Sequence, residues 1–284
     1  MARAGPSRVC CDACMDFDAY ERGLWTGRAA AYERGFARLT AHTAGALLDA
    51  AGAGAGTRVL DVGTGPGVVA AAAAARGARV TAVDAEPGMA EAAARNVPGL
   101  EVRVGVLPDL PLPDGGFDAV TGNFVINHTG DPAAALAELR RLLRAGGRLA
   151  LTCWSDPPAP ATGLAAEAIE AAGVPWPEDI PVPPFRRHSS PDAFAALLAG
   201  AGFAGATAQR LSWEHRVDPG EWWEIYRSRV GSSGIVIGRQ DSTTVARVKA
   251  EFDRLAARYA AGDGMIALPA CAVLASGTRG EASR

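Results

Sequence analysis

Residues 59–67, Val-Leu-Asp-Val-Gly-Thr-Gly-Pro-Gly, restrict this chain more than any other stretch. An apolar run of strand character gives way to glycines at alternate positions, and an alanine-rich segment of helical composition follows. Strand, tight glycine turn and helix in that order open a parallel α/β unit. The next apolar run, residues 78–83, ends at Asp84. An acid at the tip of that second strand suits a ribose, because a carboxylate accepts from both sugar hydroxyls. Each such charge-assisted hydrogen bond contributes roughly 1.5–3 kcal/mol. Glycines carry no Cβ, so the backbone between the strand and the helix turns sharply and approaches a ligand closely. Together these features predict an adenosine-containing ligand.

The same rhythm continues downstream. Strands are expected at 58–62, 80–84, 100–104, 117–125 and 148–154, with helices at 67–76, 87–96 and 132–143 between them. Apolar strands alternating with helices of about ten residues predict a parallel sheet covered on both faces. Residues 16–50 carry aromatic and apolar groups at helical spacing and predict two helices that part near Trp25-Thr26-Gly27. Residues 155–188 hold eight prolines and read as a long irregular stretch. A helix over 192–202, a strand over 206–217, helical stretches around 219–230 and 241–261, and a last strand over 265–276 complete the chain.

The spacing of the glycines narrows the ligand. The dinucleotide fingerprint G-x-G-x-x-G would place a third glycine where this chain has Val68. Instead the glycines fall at 63, 65 and 67, with Asp61 directly ahead of them. A carboxylate there suits an ammonium group and repels phosphates. A generic Rossmann loop for another nucleotide is the competing reading. D-x-G-x-G-x-G resembles motif I of the class I S-adenosylmethionine-dependent methyltransferases. The chain is similar to their small-molecule branch, which includes the ubiquinone and menaquinone methyltransferases. That resemblance is specific over residues 57–153 and traceable through 192–211 and 265–279.

The resemblance implies an α/β fold, a Rossmann-like seven-stranded mostly parallel sheet whose last strand pair forms an antiparallel edge. A helical lid would span 15–50 and the methyltransferase domain 57–284, with cap insertions at 155–188 and 217–262. S-Adenosylmethionine would be the cofactor and S-adenosylhomocysteine the product. Asp61, Gly63, Thr64 and Gly65 match the loop around the methionine moiety, and Asp84 matches the ribose acid. Ala85, Met89, Val106 and Leu107 fall where adenine is held, and Asn123 and Phe124 begin the motif near the sulfonium. Tyr20, Trp25 and Tyr32 would close over the site from the N-terminal helices. One departure stands out: relatives often carry an acid where this chain has Val106 in Gly105-Val106-Leu107-Pro108. Either a backbone carbonyl takes the adenine amino hydrogen bond or selectivity is looser; Asp109 is a displaced substitute or a solvated loop acid.

Methyl transfer asks little covalent chemistry of a protein, because orientation and exclusion of water supply most of the acceleration. An acidic nucleophile needs a base, whereas a neutral amine does not. His128, in Asn127-His128-Thr129 after the fourth strand, is the candidate base, with a purely structural histidine as its alternative. Asn127, Trp154, Phe185, His188, Trp213, His215, Trp222, Trp223 and Tyr226 are candidates for an aromatic acceptor pocket that also takes in Tyr32. Such a pocket favours a planar or hydrophobic small molecule.

Composition sets the outer limits. A net charge of −3 and a sequence pI of about 5.9 supply no basic field for nucleic acid. No apolar run approaches the roughly 20 residues of a membrane span, and the reading is a cytoplasmic protein. Cys10, Cys11 and Cys14 lack a second Cys or His pair at zinc spacing, so no metal is expected; residues 1–14 read as a disordered extension. The helices over 219–261 form either a cap or a homodimer surface. A non-catalytic cofactor-binding protein and a nicotinamide-dependent oxidoreductase are the competing functions.

Overall fold

The computed structural model describes residues 12–280, and the expected extension lies, as far as residue 11, outside the described residues. Four helical pieces come first: α1 (Asp12–Trp25), α2 (Ala29–Arg34), α3 (Phe36–Thr40) and α4 (Ala44–Ala51). The break between α2 and α3 falls at Gly35, where a Cβ would collide with Ile225, so the chain must bend around that side chain. Then follow β1 (Arg58–Val62), α5 (Val68–Ala75), β2 (Arg79–Asp84), α6 (Pro87–Asn96), β3 (Glu101–Val104), β4 (Phe117–Asn123), α7 (Pro132–Leu142) and β5 (Leu143–Trp154). The last part runs α8 (Pro160–Ala171), α9 (Pro191–Gly200), β6 (Phe203–Val217), α10 (Pro219–Arg227), α11 (Gly231–Gly238), α12 (Ser242–Ala256) and β7 (Ile266–Arg279).

The seven strands form one sheet in the order β3-β2-β1-β4-β5-β7-β6. The first five are parallel to one another, and β7 runs antiparallel to both β5 and β6. This is the Rossmann-like sheet with a reversed edge. β1 is buried on both faces beyond its first residue, as a central parallel strand must be when helices cover both sides. One face packs Leu47, Leu48 and Val69 of α4 and α5 against Val59 and Leu274. The other packs Leu136, Leu139, Phe194 and Leu198 of α7 and α9 against Leu60, Leu151 and Val273. Four helices start where an acid or hydroxyl precedes proline. Glu86, Asp131, Ser190 and Asp218 each accept from a backbone N–H of the first turn, with proline next in the chain.

Three expectations change. Residues 16–50, expected as two helices, break into four pieces. The stretch over 155–188 contains α8, whose Leu164, Ala165, Ala168 and Ile169 are buried in a third core with Val248 and Phe252 of α12. The region after β6 holds three helices, and Trp222, Ile225, Val236 and Ile237 of α10 and α11 join that same core. Thr162 of α8, Tyr226 of α10 and Gly231, Ser232 and Ser233 of α11 line the cavity described below. Strand order reverses where β1 lies between β2 and β4, and in open parallel sheets the crevice outside that point is where ligands bind.

Candidate active site

A cavity of about 520 Å³ opens at that crevice. Its floor is the turn after β1. Gly63 has a φ of +66°, and a Cβ there would stand 2.7 Å from Val125 Cβ. Only glycine satisfies both the backbone and the space. The N–H groups of Gly63 and Thr64 donate to the Val83 carbonyl at 2.8 and 3.0 Å, which pins the turn to β2. Asp84, at the end of β2, lines the cavity; its Oδ2 accepts from Gly65 N–H at 2.8 Å and its Oδ1 from Glu86 N–H at 2.9 Å. Burial raises its carboxyl above the ordinary aspartate range, against the pull of those two donors. Ala85, Met89, Val106 and Leu107 continue the same wall.

The opposite wall follows β4. Phe124 adopts a left-handed φ of +59°, uncommon for a bulky residue. Its N–H donates to the Thr152 hydroxyl at 3.0 Å, and its ring stacks on Trp154 at 3.9 Å. Both aromatic residues line the cavity. Asn123 lines it too, but its polar atoms are engaged elsewhere. Oδ1 accepts from Thr43 and Thr152 hydroxyls at 2.7 and 2.6 Å, and Nδ2 donates to the Thr40 carbonyl at 3.1 Å. His128 sits beside Asn127 on this wall, with Nδ1 2.8 Å from Glu21 Oε2 of α1. Trp25 donates its indole N–H to the same oxygen at 3.1 Å and meets the His128 ring edge-on at 5.2 Å. Trp25 and Tyr32 roof the cavity, and Tyr226 and the first residues of α11 close its cap side.

Nine expected residues do not line this space, and the reasons are physical. Asp61 is 1% exposed and lies beneath the turn, where its oxygens accept from Thr64 at 2.7 Å and Thr121 at 2.9 Å. Burial pushes its carboxyl up to about 6, so Asp61 and Thr64 brace the loop from below. Tyr20 of α1 is absent from the lining. Phe185 is buried edge-on to Phe194 at 5.0 Å, with His188 beside it. Trp213 and His215 belong to β6, at the sheet edge four places from β1, and they pack against His42. Trp222 and Trp223 fill the cap core, Trp223 against Phe252. Asp109 is exposed and outside the lining, while the Val106 carbonyl already accepts from Asp109 N–H at 3.0 Å.

Other lining residues were not foreseen, among them Asp18, Glu21, Phe36, Glu86, Ser232 and Ser233. Glu21 stands one helical turn before Trp25, a spacing that signals their contact. Nothing local signals its tie to a histidine 107 positions away.

The arrangement suits an adenosine-bearing sulfonium. A turn that a Cβ would fill, an acid at the second strand tip and a cavity volume within the usual 300–1,000 Å³ for small-molecule sites meet in one place. A family profile described as Methyltransferase domain matches residues 60–151. The demethylmenaquinone methyltransferase of Beutenbergia cavernae is 34% identical over 184 residues, covering 59% of this chain and 74% of that one. An uncharacterized 37.1 kDa protein in transposon TN4556 of Streptomyces fradiae is 43% identical over 111 residues, and this chain spans 32% of its length. Among solved structures, the YcgJ protein of Bacillus subtilis has the same fold, with a TM-score of 0.54 and 22% identity over 85% of this chain and 99% of that one. The chain therefore belongs to the class I S-adenosylmethionine-dependent methyltransferases.

Proposed function

We propose that this methyltransferase acts on a small aromatic acceptor of quinol or phenol type, through a proton taken by His128. The observation that carries the reading is one cavity joining the glycine turn and Asp84 to an aromatic wall that contains a histidine. Asp84 would hold the ribose, the Gly63 and Gly65 backbone the amino-acid end, and Ala85, Met89, Val106 and Leu107 the adenine. When bound, S-adenosylmethionine supplies an activated methyl group on sulfur. Phe124 and Trp154, stacked as a pair, offer an aromatic face to a planar acceptor, with Tyr32, Asn127 and Tyr226 around it. Aromatic faces near a cationic centre contribute roughly 0.5–2 kcal/mol. The roof formed by Trp25 and Tyr32 excludes water from the reacting atoms. A demethylmenaquinone methyltransferase among the relatives supports a quinol acceptor.

The test begins with calorimetric titration of S-adenosylhomocysteine into protein freed of carried-through ligand, where micromolar binding is expected. Labelled methyl donor is then offered with a panel of quinols, phenols and amines. Label on a quinol or phenol that disappears in His128→Asn supports the reading. Label on amines alone, or full activity in His128→Asn, overturns it.

A further inference from the structure

Glu21 is a buried carboxylate that the fold spends in an unusual way. It stands on α1, only 8% of it is exposed, and it lines the cavity. One of its oxygens, Oε2, receives both the Trp25 indole N–H at 3.1 Å and the contact with His128 Nδ1 at 2.8 Å. An ionised carboxylate only accepts, so the imidazole nitrogen facing it must carry a hydrogen. On the far side of the ring, Asn127 Nδ2 lies 3.0 Å from His128 Nε2 and donates to it. The Glu21 contact therefore assigns the hydrogen to Nδ1, and the Asn127 amide as placed agrees with a lone pair on Nε2.

Resting on the reading of His128 as the base, we infer that Glu21 is its positioning residue and that the first helix completes the base when it docks. Glu21 fixes which nitrogen carries the hydrogen and holds the ring edge-on to Trp25. Once the acceptor hydroxyl displaces the Asn127 amide from Nε2, that nitrogen takes the proton the hydroxyl gives up, and Glu21 stabilises the resulting imidazolium through Nδ1–H. The proton later leaves to solvent, so His128 and Glu21 finish as they began. Asn127 Oδ1 is buried without a hydrogen-bond partner, and half a turn of the amide would set it against Nε2–H. Asn127 can therefore hold the neutral ring before the acceptor enters and the protonated ring after the product leaves. Because Glu21 belongs to α1 and His128 follows β4, the tautomer is set only while the helix covers the cavity. Asp18 of the same helix accepts from Gly130 N–H at 2.6 Å and holds that docked position.

The experiment reads the ring itself and needs no acceptor. Full-length protein labelled with ¹⁵N-histidine is saturated with S-adenosylhomocysteine. The His128 ring nitrogens are then observed by long-range proton–nitrogen correlation, assigned by their loss in His128→Asn. The neutral wild-type ring is expected as the Nδ1–H form, and Glu21→Gln as a mixture or the Nε2–H form, in a variant whose far-ultraviolet circular dichroism matches the wild type. Glu21→Asp should restore part of the Nδ1–H signal. An Nε2–H ring in the wild type, or an unchanged tautomer in Glu21→Gln, overturns the assignment of Glu21. Retained methyl transfer in His128→Asn strikes instead at the base reading, and the two failures are told apart by which measurement moves.

Discussion

At the scale of single residues, Asp84 and Gly63 do the most with the least. Asp84 already binds two backbone N–H groups, yet a carboxylate has about four acceptor positions, so room for ribose hydroxyls remains. Asp84→Ala removes those acceptors and frees the turn at Gly65. S-Adenosylhomocysteine binding should weaken tenfold or more by calorimetry, as expected for the loss of at least one charge-assisted hydrogen bond of roughly 1.5–3 kcal/mol. Gly63→Ala fails differently. Its Cβ would press on Val125 and its backbone would be strained at φ +66°. A loss of roughly 2–6 kcal/mol in urea unfolding is expected, since overpacking and left-handed strain each cost about 1–3 kcal/mol and both act here. Both positions were visible in the chain because a turn and the strand beside it are coded by neighbouring residues.

At the scale of elements, the roof over the cavity is held by a few polar ties between parts far apart in the chain. Asn123 at the end of β4 joins Thr40 of α3 and Thr43 just after it to Thr152 of β5. Asn123→Ala leaves two hydroxyls and a carbonyl without that partner in a largely buried place. A loss of roughly 2–3 kcal/mol in denaturant midpoint stability is expected, at about 1 kcal/mol for each hydrogen bond. Amide exchange over residues 29–43 should quicken more than over β1. Such ties were the part of the site that the sequence concealed. Trp213, Trp222 and Trp223 look like pocket material by composition, but whether an aromatic faces a cavity or a core depends on which element packs behind it. Trp222 and Trp223 are buried by α8 and α12, and α8 was itself hidden by the prolines around it. Glu21 was illegible for a related reason: an acid on an amphipathic helix is ordinarily a solvated one. The parallel strands and the glycine turn were legible because each announces itself within about ten residues.

At the scale of the whole molecule, two buried groups make opposite demands on pH. Burial raises the Asp61 carboxyl from 3.8 to about 6, despite the two threonine hydroxyls that favour its charge. Burial, with the nearby His42 and Arg38, lowers His215 from 6.5 to about 4. For Asp61 the folded state holds a proton that the unfolded state has already released between pH 4 and 6. Stability therefore falls as pH rises through that window, by about 3 kcal/mol in all for a shift near two units. For His215 the unfolded state binds a proton that the folded state refuses, so stability builds as pH rises from about 4 to 6.5. The two slopes oppose each other over the shared range, and the wild type should change little between pH 4 and 6 on their account. The variants separate them. Asp61→Asn, whose amide can still accept from one threonine and donate to the other, should gain on the wild type as pH rises from 4 to 6 and hold that gain above it. His215→Gln should gain on the wild type as pH falls from 6.5 to 4. Thermal unfolding of the three proteins at half-unit pH steps would show difference curves of opposite sign. Parallel curves for Asp61→Asn and the wild type would mean that the carboxylate beneath the glycine turn is ionised without cost, and that the turn is braced by something other than a strained buried acid.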